Sequence, residues 1–267
     1  MPPTITAIRR ILEGDRVWCA YALGDLEFAD QCEWLVDEGP PEALVLLFRA
    51  FERPILFAHG PVGALTSLIG RIGAPYVAIQ VRPEALPAIE TRYLVSAPRR
   101  MWRMVLDEEC QMPAASAVAH VSPLGRPDLR ALRTLYTDGV PRGEAPDCFH
   151  DAMLDGGIYK GVWLGDRLIA AAGTHLLSSA ESVAAIGNVY TRRDQRGRGL
   201  GELVTYAVAL EARTRGFSTL VLNVAQDGFA VRMYERIGFR RHCELVEGRA
   251  VRKEMRASGS ALIRRDT

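Results

Sequence analysis

Gln195-Arg196-Gly197-Arg198-Gly199-Leu200-Gly201 lies between two patterned segments. Before it, residues 186–190 form an apolar, strand-like run. After it, Leu200, Leu203, Val204, Ala207 and Val208 recur at the i, i+3, i+4, i+7, i+8 spacing of an amphipathic helix, which Gly216 stops. A strand, a glycine corner and a helix in that order leave the first helical N–H groups without intrahelical partners and with a fractional positive charge. Glycine lets the backbone turn sharply and lets a ligand come close to those amides. The local chemistry suits a phosphate or pyrophosphate, with Arg196 and Arg198 able to add charge. The same seven residues are compatible with a dinucleotide, a nucleoside triphosphate or a bare tight turn. No Gly-Lys-Ser/Thr follows, so the loop is not of the Walker type. A Rossmann fingerprint would need its third glycine where Glu202 stands.

Working outward, residues 157–164 and 167–177 read as a hairpin with a Gly165-Asp166 turn, and residues 183–191 as a third strand. Residues 219–224 are a strand and residues 229–236 a helix ended by Gly238. Residues 240–245 and 249–253 read as a closing hairpin around Glu247-Gly248. Upstream, a strand is expected near 119–121, helices at 126–136 and 149–154, and a loop at 140–147. The order β-α-α-β-β-β-α-β-α-β-β describes an α/β chain with a mixed sheet, antiparallel early and with one crossover, rather than a uniformly parallel one.

The first half repeats much of that order. Helices are expected at 4–13 and 20–31, a hairpin at 43–48 and 54–58, and a helix opening after His59-Gly60-Pro61-Val62-Gly63. A strand at 76–81, a helix at 83–93 and a strand at 101–106 follow. The Pro-containing, weakly patterned residues 111–117 mark a boundary. The expected domains are therefore 1–112, 118–256 and a tail at 257–267.

The bulk properties exclude more than they identify. Of the 267 residues, 48% are hydrophobic and 24% charged, with a net charge of +1. That balance gives no electrostatic case for nucleic acid or an anionic membrane. Five cysteines with no C-x-x-C pair argue against a disulfide framework or a structural zinc, so no metal is expected. The N-terminus lacks a leader pattern and no apolar run reaches the ~20 residues of a membrane span, which makes a cytoplasmic location the expectation.

Two separated motifs give the second half a family resemblance. Arg196-x-x-Gly199-x-Gly201 resembles the R/Q-x-x-G-x-G/A signature of the GNAT N-acetyltransferases. Downstream, Ala230-Val231-Arg232-Met233-Tyr234-Glu235-Arg236-Ile237-Gly238-Phe239 is similar to that family's A-x-x-x-Y-E-x-x-G-F ending. One helix and one strand separate the two, as in the family. The resemblance covers about half the chain and implies a GNAT fold there, with the first half read as a degenerate GNAT-like domain in tandem. The first half lacks the Arg-x-x-Gly-x-Gly spacing at its own glycine corner, and Pro61 removes an amide donor there.

The resemblance also implies roles. Acetyl-CoA would be the co-substrate. The strand backbone at Asn188, Val189, Tyr190 and Thr191 would receive the pantetheine arm. The backbone of Arg196, Gly197, Arg198, Gly199, Leu200 and Gly201 would hold the pyrophosphate. Tyr234 would be the general acid for the departing thiolate; the alternative is a helix tyrosine that only packs. The family often carries Asn seven residues before the tyrosine, where this chain has Asp227, so Asn223 on the preceding strand is the candidate substitute for that contact; the alternative is a strand residue making structural hydrogen bonds. His175 and Glu181 are the candidate bases on or beside the central strands, with His150 and Asp147 on the expected acceptor loop. The expected partners are acetyl-CoA and an amine acceptor, small molecule or amino acid, with no nucleic acid and no membrane, and with room for a homodimer. A non-catalytic CoA-binding module and a longer acyl-CoA donor are the competing readings.

Overall fold

The computed structural model describes residues 3–38, 42–106, 120–146 and 148–254. The expected boundary at 111–117, Asp147 and the tail at 257–267 lie outside the described residues. By contact, the chain divides into Met1–Trp102 with Cys243–Thr267, and Arg103–His242. It passes from one unit to the other inside a strand after Trp102 and returns inside another after His242.

The first unit begins with α1 (Ile5–Glu13), whose N-cap Thr4 accepts a hydrogen bond from the Ala7 amide and whose Ile8, Ile11 and Leu12 are buried. Then come α2 (Ala20–Gly24), β1 (Cys32–Val36), β2 (Leu44–Phe48), β3 (Ile55–His59), α3 (Val62–Gly70), β4 (Tyr76–Val81), α4 (Leu86–Glu90) and β5 (Tyr93–Leu106). The second unit holds β6 (Val121–Pro123), α5 (Leu129–Thr137), β7 (Tyr159–Leu164), β8 (Arg167–Ser178), β9 (Val183–Thr191), α6 (Leu200–Thr214), β10 (Thr219–Ala225) and α7 (Ala230–Ile237). The last strand is β11 (Phe239–Arg252).

In the first unit the strands run β1-β2-β3-β4-β11. The β2–β3 pair is antiparallel, β3–β4 parallel, and β4–β11 antiparallel. Val45, Leu47, Leu56, Leu65, Ile69, Val77, Ile79 and Val246 belong to one core under α3 and α4. In the second unit the order is β6-β7-β8-β9-β10-β5, with β7–β8–β9 antiparallel and β9–β10 parallel. The run 168–174 of β8 is buried without alternation, as befits a strand covered on both faces. Both α5 and α6 pack on β8 and β9. Leu132, Leu135 and Tyr136 of α5 close a core with Leu168, Ala171 and Tyr190. Both units are mixed α/β, as expected.

Three expectations need correction. The expected helix 20–31 stops at Gly24 and continues as a 3-10 segment, Asp25–Gln31, broken at Phe28, whose φ and ψ are non-helical. The half-buried β1 follows, which the reading of the sequence omitted. The expected closing hairpin at Glu247-Gly248 does not exist. β11 passes straight through, with Glu247 opposite Gln80 and Gly248 opposite Ile79. A Gly in a polar pair reads as a turn, but β4 supplies a ladder that holds it extended. The expected strand at 101–106 begins eight residues earlier, at Tyr93. Among the described residues no helix is long and apolar enough to cross a membrane.

Candidate functional site

The two parallel pairs differ where they end. In the first unit the β3–β4 ladder runs to Ala58↔Val81, the last residue of β4 and the last but one of β3. In the second, the β9–β10 ladder stops at Ile186↔Leu222, although β9 continues to Thr191 and β10 to Ala225. At that point β9 bulges. Ala171 faces Tyr190 and Gly173 faces Gly187, so three steps of β9 oppose two of β8. Asn188, inside the bulge, has φ +52°, the left-handed region that costs a side-chain-bearing residue free energy. The conformation is held by a polar network. The Asn188 carbonyl accepts from Tyr136 Oη at 2.9 Å, and its Nδ2 donates to Tyr159 Oη at 2.8 Å. Tyr159 Oη in turn lies 3.3 Å from the Thr174 carbonyl.

A cavity of about 170 Å³ opens beside the bulge, lined by Glu144, Pro146, His175, Ile186, Gly187, Asn188, Val189, Asn223 and Tyr234. The His175 ring lies close against the strand backbone at Gly187. A Cβ on Gly187 would sit 2.2 Å from its Cε1 and Nε2. Tyr234 comes from α7, where Val231, Tyr234 and Ile237 form the buried face and Gly238, at φ +111°, ends the helix. Its ring meets Phe239 edge-on at 6.0 Å. Burial pushes the Tyr234 phenol well above its ordinary pKa of 10.0, so it stays protonated across the neutral range.

The glycine corner adjoins this cavity along the chain. Gly197 and Gly199 have φ +78° and +73°, and Gly199 is the N-cap of α6. Nothing lies within 4 Å of where a Gly197 Cβ would be. A Gly201 Cβ would come to 3.3 Å from both Met233 Sδ and Thr191 Oγ1. Left-handed glycines thus turn the chain into a fifteen-residue helix whose first amides lack intrahelical partners. This is the corner that could hold a diphosphate, and β9 beyond Ile186, paired by β8 but not by β10, leads from it to the cavity.

Of the expected site residues, the structure gathers His175, Asn188, Val189, Asn223 and Tyr234 around one cavity. It does not bring Glu181 there. That residue sits buried in the β8–β9 turn, its amide bonded to Ser178 Oγ at 3.1 Å, and it is outside the cavity lining. His150, before the 3-10 segment Asp151–Leu154, and Asp227, in an exposed turn, are also outside the lining. Tyr190 points into the α5 core and donates to Asp138 Oδ2 at 2.9 Å. Arg198 bonds Gln195 Oε1 at 3.0 Å.

Arg196 is engaged. Its Nη2 donates to Glu144 Oε2 at 2.7 Å and its Nε to the Thr191 carbonyl at 3.2 Å, and its guanidinium lies 5.6 Å from the Tyr190 ring centroid. The hydrogen bond from Arg196 holds the Glu144 carboxyl below the usual carboxylate range. Glu144 and Pro146 were missed as site residues. The loop that carries them was recognised, but nothing local distinguishes Glu144 from a solvated loop acid. The Tyr136–Asn188–Tyr159 network was missed because its members are 52 and 29 residues apart.

Residues 159–246 match the family model described as FR47-like protein. No curated protein matches the sequence. Among solved structures, a GCN5-related N-acetyltransferase from Kribbella flavida is similar at 17% identity and TM-score 0.64, covering 89% of this chain and 95% of its own. A GCN5-related N-acetyltransferase from Sphaerobacter thermophilus gives 16%, 0.60 and 93% of each chain. An acetyltransferase of the GNAT family from Colwellia psychrerythraea gives 12% and 0.55, over 92% and 97%. At such identities the likeness is one of fold. The FR47-like match is confined to residues 159–246, and the fold is one the chain shares with these N-acetyltransferase structures.

Proposed function

We propose that the second unit is an acyl-CoA-dependent N-acyltransferase that moves an acetyl group from acetyl-CoA to the amine of a small molecule or amino acid. The observation that carries this reading is the early end of the β9–β10 ladder at Ile186↔Leu222, beside a cavity that holds both His175 and Tyr234. The cofactor would bring an acyl thioester. The chain would do the rest by positioning and by moving protons. The amides of Arg196–Gly201 bind the diphosphate, and the free edge of β9 at Val189 and Thr191 orients the pantetheine arm. The Val189 amide would stabilise the oxyanion. His175, or a water it orders, takes the proton of the attacking amine. Tyr234, kept protonated by burial, gives one to the departing thiolate, which leaves as the thiol. The small cavity, below the roughly 300–1,000 Å³ of drug-sized sites, favours a short acyl group over a long one.

The first unit, on this reading, holds no CoA. Its parallel strands pair to within one residue of their ends, and a Gly60 Cβ would lie 2.5 Å from Ala43 Cα. Trp18, fully buried, stacks on Phe57 with ring centroids 5.1 Å apart and lies under Arg82, which also pairs with Asp15. The test is calorimetric titration with acetyl-CoA, followed by thiol release over a panel of amines. One CoA per chain and amine-dependent thiol release are expected. Failure to bind CoA refutes the reading, and binding without release over the whole panel leaves a CoA-binding module instead.

A further inference from the structure

The loop after α5 and the loop before α6 meet at one carboxylate. Glu144 Oε2 accepts from Arg196 Nη2 at 2.7 Å and from Arg193 Nε at 3.3 Å. The same residue lines the cavity with His175, Asn188 and Tyr234. Arg196 has its remaining contacts with the Thr191 carbonyl and the Tyr190 ring. The arginine best placed to add charge to the diphosphate corner is therefore turned toward the acceptor loop, and a cavity-lining acid is tied to the corner.

We propose that Glu144 competes with the CoA diphosphate for Arg196, and that diphosphate binding frees its carboxylate to face the acceptor cavity. The inference rests on the acyl-CoA reading above. A diphosphate concentrates more charge than a carboxylate and meets the planar guanidinium with two parallel hydrogen bonds. The Arg196–Glu144 pair is partly exposed, at 45% and 36% of the two side chains, and such a pair is weak and easily exchanged. The exchange has a consequence for order. Before the cofactor is seated, the Glu144 charge is neutralised by Arg196 and Arg193. Afterwards only the longer 3.3 Å bond from Arg193 remains on Glu144, and its carboxylate has acceptor positions left to attract and orient an ammonium group. The amine is then drawn in second, to a site whose thioester is already in place.

The test is calorimetry of CoA binding to the full chain and to Glu144→Gln, with pantetheine, which has no phosphate, as the second probe. Removing the competitor should tighten CoA binding about twofold to fivefold, the worth of an exposed pair, and leave pantetheine unchanged. In an Arg196→Gln background the Glu144→Gln effect should vanish. The Gly143 and Glu144 amides bond the Val140 and Gly139 carbonyls at 3.1 and 3.0 Å. Their hydrogen exchange should speed up when CoA binds the parent chain, and should already be fast in Glu144→Gln. Should Glu144→Gln unfold, Glu144→Asp, with its shorter reach, should give the same tightening. Equal or weaker CoA binding by the variant, with the parent chain binding normally, overturns the proposal and makes Glu144 a scaffold residue. A parent chain that binds no CoA refutes the acyl-CoA reading itself.

Discussion

Gly187→Ala tests whether His175 must lie where it does. Gly187 is not among the residues with positive φ, so alanine brings no backbone strain and acts only through its methyl group. That methyl would sit 2.2 Å from His175 Cε1 and Nε2 and 2.6 Å from Nδ1. Ordinary contact needs about 3.4 Å or more, so the imidazole must move by roughly 1 Å or swing to another rotamer. The ring is the far end of a two-torsion side chain at a cavity, so the stability cost should lie near the low end of the overpacking range, about 1 kcal/mol, or about 2–4 °C in Tm. The catalytic cost should be larger, because a 1 Å misplacement of a reacting group costs on the order of a hundredfold. Turnover with acetyl-CoA and the best amine of the panel should fall about 30- to 100-fold. CoA affinity by calorimetry should stay within about twofold, since the diphosphate corner is untouched. The double variant His175→Ala/Gly187→Ala should recover the lost Tm, as the clashing ring is gone, but not the turnover. Parent-like turnover in Gly187→Ala would show that the position of His175 is immaterial and remove it from the proposed chemistry.

Tyr234→Phe should lower turnover at least tenfold and leave CoA affinity unchanged. The folded phenol titrates above its ordinary value of 10.0 because it is buried, so its contribution to stability is complete below about pH 10 and falls as pH rises past that. Tyr234→Phe should therefore lose less Tm between pH 9 and 11 than the parent chain does. Gly201→Glu should abolish CoA binding while the circular dichroism stays native. The new side chain starts 3.3 Å from Met233 Sδ and Thr191 Oγ1 and sets a negative charge among the first amides of α6; unchanged affinity would move the diphosphate elsewhere. Cutting the chain between residues 112 and 118 should leave both pieces insoluble when made alone. The first would lose residues 246–251, which pair β4. The second would lose the end of β5, where the Leu106 carbonyl accepts from Arg213 Nη2 at 2.9 Å. A soluble, cooperatively melting 118–256 fragment would contradict this.

The elements around the site were legible because their signals are local. β9 and β4 occur at the expected residues, and α6 and α7 within one residue at each end. An amphipathic period, a glycine stop and an N-terminal glycine corner each act within one or two turns of chain. His175, Asn223 and Tyr234 could be nominated from motif and strand position. That they share one cavity could not, since they stand on β8, β10 and α7.

Alone, the sequence determined the glycine corner, the helix it opens and the buried tyrosine face of α7, because steric and hydrogen-bonding preferences there are satisfied by neighbours a few residues away. Tertiary structure decided the rest. It held Glu247-Gly248 in a strand because β4 offers its backbone partners. It stabilised a left-handed Asn188 because Tyr136 and Tyr159 reach it from distant segments. It set Glu144 against Arg196 across 52 residues of chain. An isolated segment carries no record of which distant donor or acceptor will meet it, and at these positions the distant partner outweighs the local preference.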